Sequence, residues 1–212
     1  MFRAHRIAFA ALVLACGISG PGQAQAPANP PAEPPHTHSD SPAGPPSSVE
    51  TDKLPAPSSD PFGEEVQFAA KTVVRMKGNA NWDTAFETLI DSFKSIGDYI
   101  ARTGLKRAGP ALTVYLSTDD TGFQYEAGIP IEAAPADAPR GDIEVGTTPS
   151  GKMLKFVHRG SYDSMDTTYE AITNFLDSKQ LEAQDTFIEE YVTDPVTTPE
   201  DKLVVNVYVP VK

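Results

Sequence analysis

Apolar residues recur with a helical period in two places along the 212-residue chain. After Asn81, which can cap a helix, Trp82, Phe86, Leu89, Phe93, Ile96 and Ile100 follow at steps of 4, 3, 4, 3 and 4, one continuous stripe. Gly104 stands where a left-handed residue would end that helix. A second helix is predicted from Ser161, with Tyr162, Met165, Tyr169, Ile172 and Leu176 at steps of 3, 4, 3 and 4. Strand-like segments surround both: Val66–Met76 before the first helix, Leu112–Ser117 and Phe123–Ile131 after it. Ile143–His158, bent at Pro149–Gly151, precedes the second, and Thr186–Val192 and Leu203–Val211 follow it. The order strand, helix, strand, strand occurs twice, and the helix starts Asn81 and Ser161 lie 80 residues apart. The fold class expected is α+β: tandem duplicated β-α-β-β units forming an antiparallel sheet, with two helices on one side and a ligand cleft between the repeats.

The first 62 residues do not share this patterning. Arg3 and Arg6 precede an uncharged apolar run, Ile7–Ala15, which is shorter than the roughly 20 residues needed to span a bilayer. Glycines, Pro21 and small residues follow, so residues 1–24 read as an export signal. Cleavage after Ala24 or Ala26 would release a periplasmic protein. Alternatively Val13-Leu14-Ala15-Cys16 resembles a lipobox, and Cys16, the single cysteine, would carry a lipid anchor. Residues 25–62 read as a disordered tether, because twelve of the 20 prolines lie between Pro21 and Pro61 among Ala, Ser and Gly. Residues 63–212 form the one folded domain expected, and the protein is placed in the periplasm or cell envelope.

Charge and chemistry narrow the function classes. The chain carries a formal charge of −12. From residue 61 onward, 14 Lys and Arg face 24 Asp and Glu, a net −10, so the acidity belongs to the domain. That balance speaks against nucleic acid as a partner and suits cationic ligands. One cysteine excludes an internal disulfide. His36 and His38 form a weak metal pair without a third ligand, and no metal or other cofactor is expected. There is no GxSxG elbow, P-loop or GxGxxG fingerprint, so binding is expected in preference to catalysis.

The second half reads IEVGTTPSGKMLKFVHRGSYDSM, then EEYVTDP and a closing YVPVK. This resembles the GyrI-like small-molecule-binding family, the effector-binding domain of AraC- and MerR-type multidrug regulators. The first half agrees more loosely, through VYLSTD and YEAGIPI. The more distant SOUL haem-binding proteins share the implied fold. Unlike the regulators, this chain has an export signal and a proline-rich tether ahead of the domain.

The resemblance implies an aromatic cleft between the repeats with a glutamate at its base, taking bulky, often cationic, lipophilic compounds. Strand alternation puts Phe187, Glu189 and Tyr191 on one face and Ile188 and Glu190 on the other. The matching acid is Glu189, two before the tyrosine, and a one-residue slip would give Glu190 the role. Tyr208, Tyr115, Tyr125 and Trp82 are the remaining candidates for the aromatic walls, with core packing as the alternative for each. The expectation is an exported binder of small amphipathic or lipophilic, cationic molecules. Alternatives are a hydrolase of strained or toxic small molecules on the same cleft, with Glu189 and Trp82 as a pair, and a haem or tetrapyrrole binder using His158.

Overall fold

The computed structural model describes residues 62–212. The export signal, Cys16, His36, His38 and the proline-rich segment lie outside the described residues. In the first half, β1 (Glu64–Phe68) and β2 (Thr72–Asn81) lead into α1 (Ala85–Thr103), followed by β3 (Leu112–Thr118) and β4 (Gly122–Pro130). The second half repeats the order with β5 (Ile143–Thr147), β6 (Gly151–Arg159), α2 (Met165–Lys179), β7 (Phe187–Tyr191) and β8 (Val204–Val209). All eight strands form one antiparallel sheet in the order β1-β6-β8-β7-β3-β4-β2-β5.

The helices form as their patterns dictate. Asn81 Oδ1 accepts from the Thr84 N–H at 3.0 Å across a short 3-10 turn that opens α1. Gly104, at φ 69°, ends α1 with its N–H on the carbonyls of Ala101 and Ile100. Leu89, Phe93, Ile96 and Ile100 are buried on the sheet, and so are Met165, Tyr169, Ile172 and Leu176 of α2. α2 ends on Gln180, a non-glycine residue at φ 55°.

Val66–Met76 and Ile143–His158 differ from the expectation: each is two strands that join opposite halves of the sheet. β1 pairs with β6 of the second half, and β5 with β2 of the first, so each half lends its outermost strand to the other. Three residues, Ala69–Lys71, connect the first strand of the sheet to the seventh. Lying flat, these would be roughly 29 Å apart at about 4.8 Å per strand, whereas the connecting chain reaches only about 14 Å. Three residues likewise join β5 to β6, at the eighth and second places. The sheet must therefore curl until its two ends meet. The connectors are clipped together there, with the Lys71 N–H on Thr148 Oγ1 and the Thr148 N–H on the Lys71 carbonyl, both at 3.0 Å.

Curling creates two apolar layers from a single sheet. Inside the curl Phe68, Val73, Leu112, Val114, Met153, Ile188 and Tyr208 form one buried cluster. The opposite face carries both helices and the larger cluster, which includes Val74, Phe93, Tyr115, Phe156, Tyr169, Phe187 and Tyr191.

Candidate functional site

The two halves meet at the centre of the sheet, where β3 pairs with β7. On the helix side of this junction, aromatic rings fill the seam. Tyr115 stacks on Phe187 with centroids 4.4 Å apart, and Tyr169 meets Phe187 edge-on at 5.4 Å. Phe93 of α1 touches Tyr191 at 5.3 Å. Phe86 of α1 stacks on Tyr162, in the 3-10 turn before α2, at 4.8 Å, and so joins the starts of the two helices. Trp82 lies against Phe123 at 4.8 Å, and its indole N–H donates to the Asp119 carbonyl.

Glu189 sits beneath these rings and is 1% exposed. Tyr169 donates to Oε1 at 2.6 Å, while Tyr115 and Tyr191 donate to Oε2 at 2.9 and 2.8 Å. Tyr162 is linked to the group through Tyr115, hydroxyl to hydroxyl at 2.9 Å. Burial pushes the Glu189 carboxyl above its ordinary value, and the tyrosine hydroxyls, Tyr169 foremost, oppose that rise without cancelling it. Burial and the nearby carboxylate push the phenols of Tyr115, Tyr162, Tyr169 and Tyr191 far up, so all remain protonated donors. A buried carboxylate normally needs a counter-charge. Here its hydrogen-bond partners are all neutral phenols. Glu189 is shut off from solvent, and it lines neither the hollow beside residues 132–140 nor the one beside Asp194–Thr197.

The neighbouring acid faces the other way. Glu190, 7% exposed, lies inside the curl, paired with Lys71 and hydrogen-bonded by Tyr208 Oη at 2.9 Å and Asn206 Nδ2 at 3.1 Å. Burial works against ionisation of Glu190, and the Lys71 ammonium with the Asn206 and Tyr208 bonds outweighs it and holds the carboxyl below its ordinary value. The acid without an ion-pair partner and the acid with one thus share adjacent positions on β7.

The structure brings together Glu189, Tyr191, Tyr115 and Phe187, with Trp82 one ring away through Phe123. Tyr125 stands at the margin, 5.7 Å from Phe123 and hydrogen-bonded to Ser92 at 3.0 Å. Tyr208 does not join the group. In the ladder it is Val207 that stands opposite Glu189, so Tyr208 points to the face inside the curl and serves Glu190. Tyr162 and Tyr169, read as ordinary members of a helical stripe, instead supply hydroxyls to the cluster. A usable signal was present, since a buried tyrosine needs a polar partner and this stripe contained two.

His158 is committed structurally. Its Nδ1 lies 2.7 Å from Thr168 Oγ1 and its Nε2 3.1 Å from the Ser161 carbonyl. A carbonyl can only accept, so Nε2 carries the proton and Nδ1 accepts from the threonine. Burial lowers the ring's pKa. These bonds tie the end of β6 to the start of α2, between which Tyr162 is held. Among the described residues, no three His, Cys, Asp or Glu side chains gather as metal ligands.

The description of a GyrI-like small molecule binding domain matches residues 64–212. The chain belongs to the GyrI-like small-molecule-binding family. No curated protein matches it. Among solved structures, EcmrR in its DNA complex is similar over 71% of this chain and 57% of that chain, with 15% identity and a TM-score of 0.61. The isolated EcmrR C-terminal domain is covered to 96%, at 13% identity and a TM-score of 0.59. This GyrI-like chain thus spans little more than half of the EcmrR chain that binds DNA. SAV2435 bound to tetraphenylphosphonium matches over 71% of this chain and 93% of that one, with 20% identity and a TM-score of 0.50. A hydrolase from Listeria innocua matches over 71% and 92%, with 13% identity and a TM-score of 0.51. At these identities the likenesses concern the GyrI-like fold.

Proposed function

We propose that this protein is an exported binding protein for small amphipathic or lipophilic cations, which it takes into the seam between its two halves. The observation that carries this reading is Glu189: a carboxyl buried beneath aromatic rings whose hydrogen-bond partners are neutral phenols. A cationic guest would supply the missing counter-charge, and the surrounding ring faces would add cation–π attraction. Binding requires the closed seam to part. The half-buried Phe86–Tyr162 stack is the pair that would separate, since it alone joins the starts of the two helices through aromatic contact among the described residues. SAV2435, a structural neighbour, holds tetraphenylphosphonium, a lipophilic cation, which is consistent with this choice of ligand class. Export rests on the N-terminal sequence: the short apolar run, the small residues after it and the proline-rich tether. A tether of this kind would let the domain stand off a membrane or cell wall, with Cys16 as the anchor if it is lipidated.

The test is a thermal-shift and calorimetric titration of the protein with lipophilic cations and their neutral analogues. A ligand at a hundredfold excess over Kd should stabilise the fold by about 2.7 kcal/mol. Cations should raise the melting temperature of the wild type and fail to do so in Glu189→Gln, while neutral analogues bind both alike. Equal cation binding by both proteins would remove Glu189 from the account. A turnover of ester or strained-ring substrates that disappears in Glu189→Gln would replace binding with hydrolysis.

A further inference from the structure

One polar group in the seam has no partner. Thr113 on β3 is fully buried, and its Oγ1 makes no hydrogen bond. It stands directly opposite Glu189 in the β3–β7 ladder and on the same face, because Leu112 and Val114 on either side of it belong to the cluster inside the curl. Side chains paired in this way have Cβ atoms about 4.5–5.5 Å apart. The Thr113 hydroxyl is close enough to Tyr191 to favour ionisation of that phenol, but no hydrogen bond of ordinary geometry joins the two, and Tyr191 gives its own proton to Glu189. A buried hydroxyl left without a bond costs the fold stability, and this one lies beside the acid assigned to ligand binding.

The duplication accounts for the placement. Thr113 lies nine residues after Gly104, the left-handed residue that ends α1, and Glu189 lies nine residues after Gln180, the left-handed residue that ends α2. The two residues are therefore counterparts in the two halves, brought face to face where the halves join. Their outer neighbours in the same row are small: Ala127 beside Thr113 and Val207 beside Glu189. The row Ala127–Thr113–Glu189–Val207 thus forms a floor with two polar groups at its centre.

We propose that Thr113 and Glu189 together form a two-point anchor for an ammonium group that carries at least two N–H bonds, so that the preferred guest is a lipophilic primary or secondary amine. This inference rests on the assignment of the seam as the ligand site. One N–H donates to the Glu189 carboxylate and a second to Thr113 Oγ1, which a single nitrogen can reach across one ladder pair. A quaternary ammonium or phosphonium ion can neutralise Glu189 but has no proton for Thr113, and leaves that hydroxyl unpaired.

The experiment compares a naphthylalkyl amine with its N,N,N-trimethyl analogue by calorimetry at pH 7, in the wild type and in the near-isosteric Thr113→Val. The wild type should prefer the amine by about tenfold or more, the scale of one hydrogen bond to a charged group. Thr113→Val should lose that preference and keep its affinity for the trimethyl compound. A preference that persists in Thr113→Val, or equal binding of both compounds by the wild type, overturns the anchor while leaving the seam as a cation site. Failure of both compounds to bind the wild type overturns the seam reading itself. A further measurement needs no ligand: Thr113→Val should melt at or above the wild-type temperature because it removes an unpaired hydroxyl. A clear fall would show that the hydroxyl is bonded in the free protein and would overturn the inference.

Discussion

Tyr169→Phe isolates the electrostatics of the seam with a change of one hydroxyl. Among the described residues Tyr169 is the donor to Glu189 Oε1, at 2.6 Å, whereas Tyr115 and Tyr191 share Oε2. The phenylalanine ring would keep the contact with Phe187 and the buried position on α2. The loss is therefore one hydrogen bond to a charged, buried group, about 2 kcal/mol. For a domain of this size that lowers the melting temperature by about 4–8 °C. Tyr191→Phe should cost less, because Tyr115 still serves the same oxygen. The sign of the pH dependence follows from burial. The folded carboxyl titrates above its ordinary 4.5, so its contribution to stability is greatest below 4.5 and declines as the pH rises to the folded value. Removing Tyr169 withdraws a group that favours ionisation and extends that decline to higher pH. The gap between wild type and variant should therefore widen from pH 5 to pH 8. Urea denaturation at both pH values measures it. A gap that does not change with pH, or an equal loss in Tyr191→Phe, would refute this account of Glu189.

Two further outcomes follow from groups outside the seam. Lys71→Met keeps an aliphatic stem near Phe68 but leaves Glu190 without its cation. It should cost about 1–3 kcal/mol, below the full value for a buried pair because Lys71 is partly exposed; urea denaturation should also show much of the loss recovered when Glu190→Gln is added, and strict additivity would refute the coupling. His158 has its pKa lowered by burial, so its neutral form contributes stability fully above the unfolded value near 6.5, and that contribution falls as the pH drops toward the folded value. Melting temperatures of wild type and His158→Gln should thus converge between pH 7.5 and pH 5, and a constant difference would show that the ring does not titrate there.

The sequence by itself determined the helices, the twofold order of the elements and the face of β7 on which Glu189 lies. These are local properties: a period of 3.6 or 2, a capping asparagine, a terminating glycine. It also carried the GyrI-like pattern that the whole-domain match bears out. Tertiary structure decided the rest, because it turns on which strand pairs with which. Ala69–Lys71 contains no glycine, proline, asparagine or aspartate to signal a turn, so nothing local shows that the chain crosses there to the other half of the sheet. Only the resulting curl explains why both faces of β7 are buried and why Glu190 meets Lys71, a residue 119 positions away. Register likewise sends Tyr208 to the inner face while Tyr162 and Tyr169 reach Glu189 from α2 and the turn before it. A helical stripe marks which residues will be buried. It does not mark where their hydroxyls will find a partner, and that is settled only when the two halves close on one carboxyl.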